Sequence, residues 1–194
     1  MNTNINPAFL YEDISGVVIN ECKLALSGID ANSVYQLIDA ILGAEKVYFI
    51  GTGRVMLSLQ AIAKRLAHLG IDTHCVGEIT EPAITTRDLL VVGSGSGETL
   101  IPVVIARKAH ELGVKIAYIG SNPESSINKI SDLFLFIPVS PKINGTNNTI
   151  NSKQPLTSLF EQSLFLLGDI MAQMIIKLKH IDQAGLWEFH ANLE

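Results

Sequence analysis

The feature that most constrains the fold is the alternation, between residues 46 and 137, of short apolar runs with segments of helical periodicity. Five short segments are predicted as strands, and they cover 46–50, 72–76, 88–92, 115–119 and 133–137. All of them except 72–76 are mostly apolar, as buried strands are. Strands that alternate with helices form parallel sheets with right-handed crossovers. The sequence therefore predicts a three-layer α/β fold with a doubly wound, five-stranded parallel sheet in the flavodoxin-like strand order.

Helices are predicted on both sides of this alternating region. Asn6 and Pro7 fit an N-cap followed by proline at the first helical position, so a first helix should run to about residue 28. A second should follow from Asp30 to about residue 42. Pro155 is predicted to open a long helix to about Lys179. Apolar residues surround most of that helix, so we expect it to be buried, and another subunit is one partner that could bury it.

The length of 194 residues fits one domain with four parts. Residues 1–45 form the N-terminal helices, 46–137 the parallel α/β core, and 155–194 the C-terminal helix and tail. Between them, residues 138–154 are rich in Asn, Ser, Thr, Pro and Gly and show no apolar periodicity. Because a long loop in a compact domain is usually functional or disordered, we interpret 138–154 as an active-site loop.

Composition excludes several classes of function. The net charge of −5 gives no general attraction to nucleic acid or to anionic membranes. Cys22 and Cys75 stand far apart, which argues against a zinc site or a disulfide framework and favours a reducing, cytoplasmic location. The N-terminus lacks the pattern of a signal peptide, and Asp169 and Gln173 interrupt the most apolar stretch, so no membrane span is expected. The sequence has no HxH or HExxH pair, and we expect neither a metal nor another cofactor.

Two glycine-rich turns follow predicted strands and lead into predicted helices. Gly51, Gly53 and Arg54 lie in the first turn. The second turn contains hydroxyls interleaved with glycines, at Ser94, Gly95, Ser96, Gly97 and Thr99. Backbone amides at a helix N-terminus favour an anion, and the hydroxyls add donors, so the second turn is a candidate phosphate site; the alternative is helix capping alone. The second turn lacks the Lys-Ser/Thr pair of a Walker A loop, and the sequence has no GxGxxG pattern with a later acidic residue. A small sugar phosphate therefore fits this turn better than a nucleotide.

The second turn resembles the phosphate loop of SIS (sugar isomerase) domains, and five further segments narrow the resemblance. These are Arg65–Gly70 (RLAHLG), residues 76–83 (VGEITEPA), Ser121–Ser125 (SNPES), Gln154–Gln162 (QPLTSLFEQ) and His190–Leu193 (HANL). In this order they resemble 6-phospho-3-hexuloisomerases over nearly the whole chain from Val47. The resemblance implies an isomerase of the ribulose monophosphate pathway that interconverts D-arabino-3-hexulose 6-phosphate and D-fructose 6-phosphate. It further implies metal-free proton transfer through a 2,3-enediol, and a homo-oligomer, with a tetramer expected.

The resemblance also assigns roles to particular side chains. Glu161 is implied as the catalytic base; from position alone, a glutamate that favours the helix dipole is as good an interpretation. His68 and His190 are implied as catalytic, either as an acid or for ring opening, and His190 could enter the site of a neighbouring subunit. Glu78 could hold sugar hydroxyls or simply be solvated. Arg54 could pair with phosphate or with a carboxylate across a subunit interface.

Two departures from the family pattern leave the substrate open. Val55 and Met56 follow Arg54, where the family usually has Ser-Gly, so a serine hydroxyl near the phosphate or sugar is lost. Leu156 and Thr157 replace Met-Gly and crowd the start of the helix that carries Glu161. Two alternatives therefore stand beside the leading hypothesis: an isomerase for another ketose or aldose phosphate, and a non-catalytic sugar-phosphate sensor such as the effector module of a transcription regulator.

Overall fold

The computed structural model of the chain describes residues 6–140, 149–190 and 192–193. Its centre is a sheet of five parallel strands in the order β2-β1-β3-β4-β5. The strands are β1 (Val47–Ile50), β2 (Thr73–Cys75), β3 (Leu89–Gly93), β4 (Lys115–Gly120) and β5 (Leu133–Phe136). The predicted number of strands, their parallel direction and their flavodoxin-like order are confirmed.

Five α-helices flank the sheet: α1 (Pro7–Ser27), α2 (Ala31–Gly43), α3 (Arg54–Ala67), α4 (Leu100–Glu111) and α5 (Ser158–Leu178). Two short 3-10 helices, Asn128–Ile130 and Gln183–Phe189, complete the secondary structure. The predicted caps of the first two helices are confirmed. The side chain of Asn6 accepts a hydrogen bond from the Ala8 amide at 3.0 Å, and that of Asp30 accepts one from the Ser33 amide at 2.9 Å.

Alternate residues of each strand face two separate cores, which makes the fold a three-layer sandwich. Phe49, Val91 and Ile119 belong to the core beneath α1, α2, α3 and α5. Tyr48 and Tyr118, on the opposite face, pack into the core beneath α4. Because both faces of the sheet are covered, the inner strands β1 and β3 are apolar and fully buried, which explains their continuous apolar runs, whereas the edge strand β2 keeps the polar Thr73 and His74.

The start of α5 differs from the sequence prediction. The helix begins at Ser158 and not at Pro155. Leu156 has a φ of +59°, in the left-handed region, and Thr157 has a φ of −101° and a ψ of 17°. A left-handed residue cannot continue a right-handed helix, so the segment 155–157 forms a turn that leads into α5.

The fold of a single chain buries α5 in part. Ser158–Leu178 is long and apolar enough to cross a membrane by length and composition, and 56% of its most apolar window is buried inside the fold. It packs mainly against α3 and then against α1, as the core helix of a globular domain does. Phe165, Leu166 and Ile170 remain exposed and form an outward apolar stripe.

The predicted active-site loop, 138–154, lies partly outside the described residues. Its two described ends meet, because the Ser140 amide donates to the Ile150 carbonyl and the Ile150 amide donates to the Pro138 carbonyl, each at 2.9 Å. The loop thus leaves and returns at one place, beside the carboxyl edge of β5.

Candidate active site

The second glycine-rich turn connects β3 to α4 at the carboxyl edge of the sheet. The Ser94 hydroxyl accepts a hydrogen bond from the Gly97 amide at 3.0 Å and lies 3.2 Å from the Thr99 hydroxyl. The Ser96 hydroxyl accepts from the Glu98 amide at 3.2 Å. Thr99 is the N-cap of α4, and its side chain makes no capping hydrogen bond within the part of the chain that the structure describes. The turn therefore gathers three hydroxyls and a helix N-terminus, the donors that suit a phosphate monoester.

Gly97 is the residue on which the shape of this turn depends. Its φ is +65°, and a Cβ at this position would lie 2.3 Å from the Ser125 hydroxyl oxygen and 2.6 Å from the Tyr118 hydroxyl oxygen. Only glycine combines the left-handed backbone with the missing side chain that this packing needs.

The turn is braced from β4 and from the segment that follows it. The Tyr118 hydroxyl donates to the Ser94 carbonyl at 2.9 Å, and burial raises the pKa of this phenol to about 12, so it stays a donor. The Asn122 side chain donates to the Ser96 carbonyl at 3.1 Å, and the Ser126 amide donates to the Glu98 carboxylate at 2.7 Å. Hydrogen bonds from Ser126 lower the pKa of Glu98, which keeps this link ionised at neutral pH.

Glu161 lies in the first turn of α5 and faces the same edge of the sheet. Arg54, at the start of α3, donates through Nε to its Oε2 at 2.5 Å, and the Thr157 hydroxyl donates to its Oε1 at 2.6 Å. The Ser58 hydroxyl donates to the Glu161 carbonyl at 3.0 Å and ties the two helices together. The Glu161 side chain is 9% exposed and that of Arg54 is 65% exposed, so the arginine covers the carboxylate from the solvent side.

These groups share one cleft of about 430 Å³. It brings together residues from both glycine-rich turns and from α5, namely Gly53, Arg54, Ser94, Gly95, Ser96, Thr99 and Glu161. The volume suits a small phosphorylated ligand. Val55 also lines the cleft, so the residue that replaces the family serine lies within the candidate site. Gly51 is buried at the end of β1, beneath the Val55 side chain.

The two catalytic histidine candidates lie in a different cleft of this chain. The rings of His68 and His190 stack with their centroids 4.9 Å apart, and the ring centroids of Trp187 and His190 are 5.1 Å apart. Their cleft, of about 540 Å³, is also bordered by Asp169 of α5. Asp169 is two helical turns beyond Glu161, roughly 12 Å along α5. In a single chain, Glu161 thus lies at the phosphate turn. Both histidines lie beside Asp169, farther along α5 and away from that turn.

Glu78 is exposed in the loop after β2 and borders neither of these two clefts. Its role in holding sugar hydroxyls stays a prediction. Among the described residues, no group of three or more His, Cys, Asp and Glu side chains comes together that could hold a metal ion.

Sequence reasoning missed several residues of the site. Thr157, Phe160, Ser121 and the loop residues Val139 and Ser140 also line the cleft. A signal for Thr157 was present, because it precedes Glu161 by four residues, about one helical turn. Ser121 and Phe160 lie in segments that carry the family resemblance, and Val139 and Ser140 lie in the predicted active-site loop, but nothing within these segments marked the individual side chains as cleft residues.

A buried carboxylate outside the cleft, Glu21 of α1, was also missed. It accepts hydrogen bonds from the Ser152 hydroxyl at 2.6 Å, the Lys153 amide at 2.8 Å and the Gln154 side chain at 3.1 Å. Burial opposes ionisation of this carboxyl, but these hydrogen bonds outweigh it, and its pKa is lowered. Glu21 therefore anchors the end of the loop that leads into Thr157 and α5.

Comparison with known proteins agrees with this architecture. The SIS domain family matches residues 40–167, which include the whole sheet, the phosphate turn and the first half of α5. The chain belongs to the SIS domain family.

Comparison with curated proteins identifies the family within the SIS domain proteins. The chain is 38% identical over 177 residues to the 3-hexulose-6-phosphate isomerase of Bacillus subtilis, covering 91% of this chain and 95% of that protein. It is 36% identical over 178 residues to the 3-hexulose-6-phosphate isomerase of Mycobacterium gastri, covering 92% and 88%. A hypothetical protein of Methanococcus jannaschii, whose crystal structure was taken to infer the same function, superposes with a TM-score of 0.80 at 27% identity, covering 94% and 99%.

Within the SIS domain family, the chain is thus a member of the 3-hexulose-6-phosphate isomerase (6-phospho-3-hexuloisomerase) family and is a sugar-phosphate isomerase.

Proposed function

We propose that the chain interconverts D-arabino-3-hexulose 6-phosphate and D-fructose 6-phosphate by metal-free proton transfer through a 2,3-enediol. The observation that carries this proposal is the single cleft that joins a phosphate-type turn to a carboxylate held by an arginine. Such a cleft offers an anchor for the phosphate at one end and a base with a neighbouring cation at the other.

The phosphate would bind at the turn between β3 and α4. The hydroxyls of Ser94, Ser96 and Thr99 are its proposed ligands, together with backbone amides of the turn and of the first turn of α4. Gly95 and Gly97 let the backbone approach the phosphate closely, and Gly53 and Arg54 would line the side of the cleft toward the sugar, with Gly51 supporting that side from beneath Val55.

Glu161 would act as the base. It takes the proton from C2 of the 3-ketose, the electrons of that C–H bond form the C2–C3 double bond, and the C3 carbonyl oxygen gains the negative charge. The proton then returns at C3, the C2 carbonyl forms, and the proton of the C2 hydroxyl passes to the C3 oxygen, which becomes a hydroxyl. Arg54 would stabilise both the ionised Glu161 and the charge that develops on the enediolate oxygen.

His68 and His190 need a second copy of the chain to reach this cleft. Apolar side chains remain exposed on α5 and along α1, where they include Phe9, Leu10, Tyr11, Ile14, Ile19 and Leu24. Burial of such surfaces drives association, and we propose a homotetramer in which the histidines of one copy border the cleft of another, as an acid or for ring opening. Light scattering at micromolar concentration tests the assembly, and a monomer would contradict it.

The proposed reaction would place the chain in the ribulose monophosphate pathway, in the cytoplasm. Two buried cysteines that form no disulfide suit a reducing compartment.

One observation favours a second candidate, an isomerase for another ketose or aldose phosphate. Val55 packs an apolar side chain against the ends of β1 and β3, inside the cleft, where the family pattern has serine. A missing hydroxyl at this position changes which sugar hydroxyls find partners, and such differences can alter substrate preference strongly.

The experiment is to incubate the protein with fructose 6-phosphate and to follow the products by carbon NMR. The proposal expects the 3-ketose phosphate to form. Formation of an aldose 6-phosphate instead would support the second candidate and contradict the first, and the absence of both products would contradict an isomerase acting on this substrate.

A further inference from the structure

The two oxygens of the Glu161 carboxylate have different partners. Arg54 holds Oε2, while Oε1 accepts the hydroxyl of Thr157 at 2.6 Å. Thr157 also contacts Glu161 through the backbone, because its carbonyl accepts the Glu161 amide at 3.1 Å. One residue therefore fixes both the main chain and the side chain of the proposed base.

The hydroxyl of Thr157 does not perform the task that threonine usually has at this position. Thr157 is the N-cap of α5, and an N-cap threonine ordinarily accepts a hydrogen bond from an amide of the first turn. Within the described residues its side chain makes no such capping bond. The left-handed Leu156 before it turns the chain so that the hydroxyl meets the Glu161 carboxylate instead.

We propose that Thr157 is a positioning residue for the proton transfer, an inference that rests on the proposed role of Glu161. With Arg54 on one oxygen and Thr157 on the other, the plane of the carboxylate is fixed before substrate binds. The hydroxyl oxygen keeps a lone pair, which can accept a hydrogen bond from a sugar hydroxyl in the cleft.

Thr157 also changes where hydroxyl groups lie in the cleft. Thr157 stands where the family pattern has glycine, and Val55 stands where that pattern has serine. Both residues line the cleft. Relative to that pattern, the cleft has one hydroxyl fewer next to Arg54 and one more at the Glu161 carboxylate.

The test is the Thr157→Val variant, which keeps the shape of the side chain and removes the hydroxyl. A hydrogen bond to a charged group is strong enough that its loss should lower kcat about tenfold or more. The KM for fructose 6-phosphate should stay within about threefold, because the interaction serves the transition state and not ground-state binding.

Two matched variants make this result specific. Thr157→Ser retains the hydroxyl and should restore kcat. Ser158→Ala removes the neighbouring hydroxyl, which donates to the Pro155 carbonyl at 2.7 Å and does not contact Glu161, and it should behave as the wild type.

The inference is wrong if Thr157→Val keeps the wild-type kcat. It is equally wrong if kcat falls in Thr157→Val and Thr157→Ser does not restore it, or if KM rises as much as kcat falls, because either pattern indicates a merely structural role. Glu161→Gln separates this failure from failure of the proposed function. If Glu161→Gln is inactive and Thr157→Val is normal, only the role of Thr157 is rejected. If Glu161→Gln is fully active, Glu161 is rejected as the base.

Discussion

The packing around Gly97 allows a quantitative test of the phosphate turn. In Gly97→Ala, the new methyl group would meet the Ser125 side chain and the Tyr118 hydroxyl at 2.3–2.6 Å. The left-handed backbone costs about 1–2 kcal/mol for a residue with a Cβ, and overpacking of a well-filled site costs about 1–3 kcal/mol. We therefore expect the free energy of unfolding to fall by about 2–5 kcal/mol.

Gly113→Ala is the matched control. Gly113 has a φ of +72°, but the nearest atom to an added Cβ is Thr86 Cγ2 at 3.5 Å, an ordinary contact outside the cleft. The free energy of unfolding of this variant should fall only by the backbone cost, about 1–2 kcal/mol. Urea unfolding compares the two, and calorimetry measures binding of fructose 6-phosphate, which should weaken only in Gly97→Ala. Equal stability and equal affinity in the two variants would refute the packing argument.

Two further predictions concern the phosphate and the loop anchor. Ser96→Ala should raise the KM for fructose 6-phosphate about tenfold, as expected for a lost hydrogen bond to a charged group, and an unchanged KM would remove Ser96 from the phosphate ligands. Glu21→Gln should be less stable than the wild type by about 1 kcal/mol at pH 7. Because folding lowers the Glu21 pKa from its ordinary 4.5, this advantage exists above that value and is lost as pH falls through the lowered pKa, so the two unfolding curves should converge in acid; a constant difference would contradict the assignment.

The sheet could be predicted because its information is local. Residues 89–92 are apolar throughout, since both faces of the strand are covered, and they are followed by glycine and a segment of helical period. The start of α5 could not be predicted in the same way. Pro155 is a good first helical residue, and no local sequence pattern predicts the left-handed backbone of Leu156. Because of that conformation, the helix begins only at Ser158.

The site was predictable where its chemistry lies in one segment. The turn from Ser94 to Thr99 is contiguous, and its role as an anion site follows from the glycines, the hydroxyls and the helix start. Arg54 and Glu161 were each singled out, but their contact joins residues 107 positions apart, and an ion pair between subunits was the expected alternative. The link from Glu21 to residues 152–154 spans more than 130 positions and depends on the packing of α1, which no local pattern encodes.

The most direct test of the account follows solvent deuterium into fructose 6-phosphate with the wild type and Glu161→Gln. A 2,3-enediol places deuterium at C3 of fructose 6-phosphate and at C2 of the 3-ketose, whereas a 1,2-enediol would place it at C1. The account predicts labelling at C3 by the wild type, and a rate about 10²–10⁴-fold lower in Glu161→Gln with little change in affinity for the sugar phosphate. Labelling at C1, or labelling at C3 by Glu161→Gln at the wild-type rate, would contradict it.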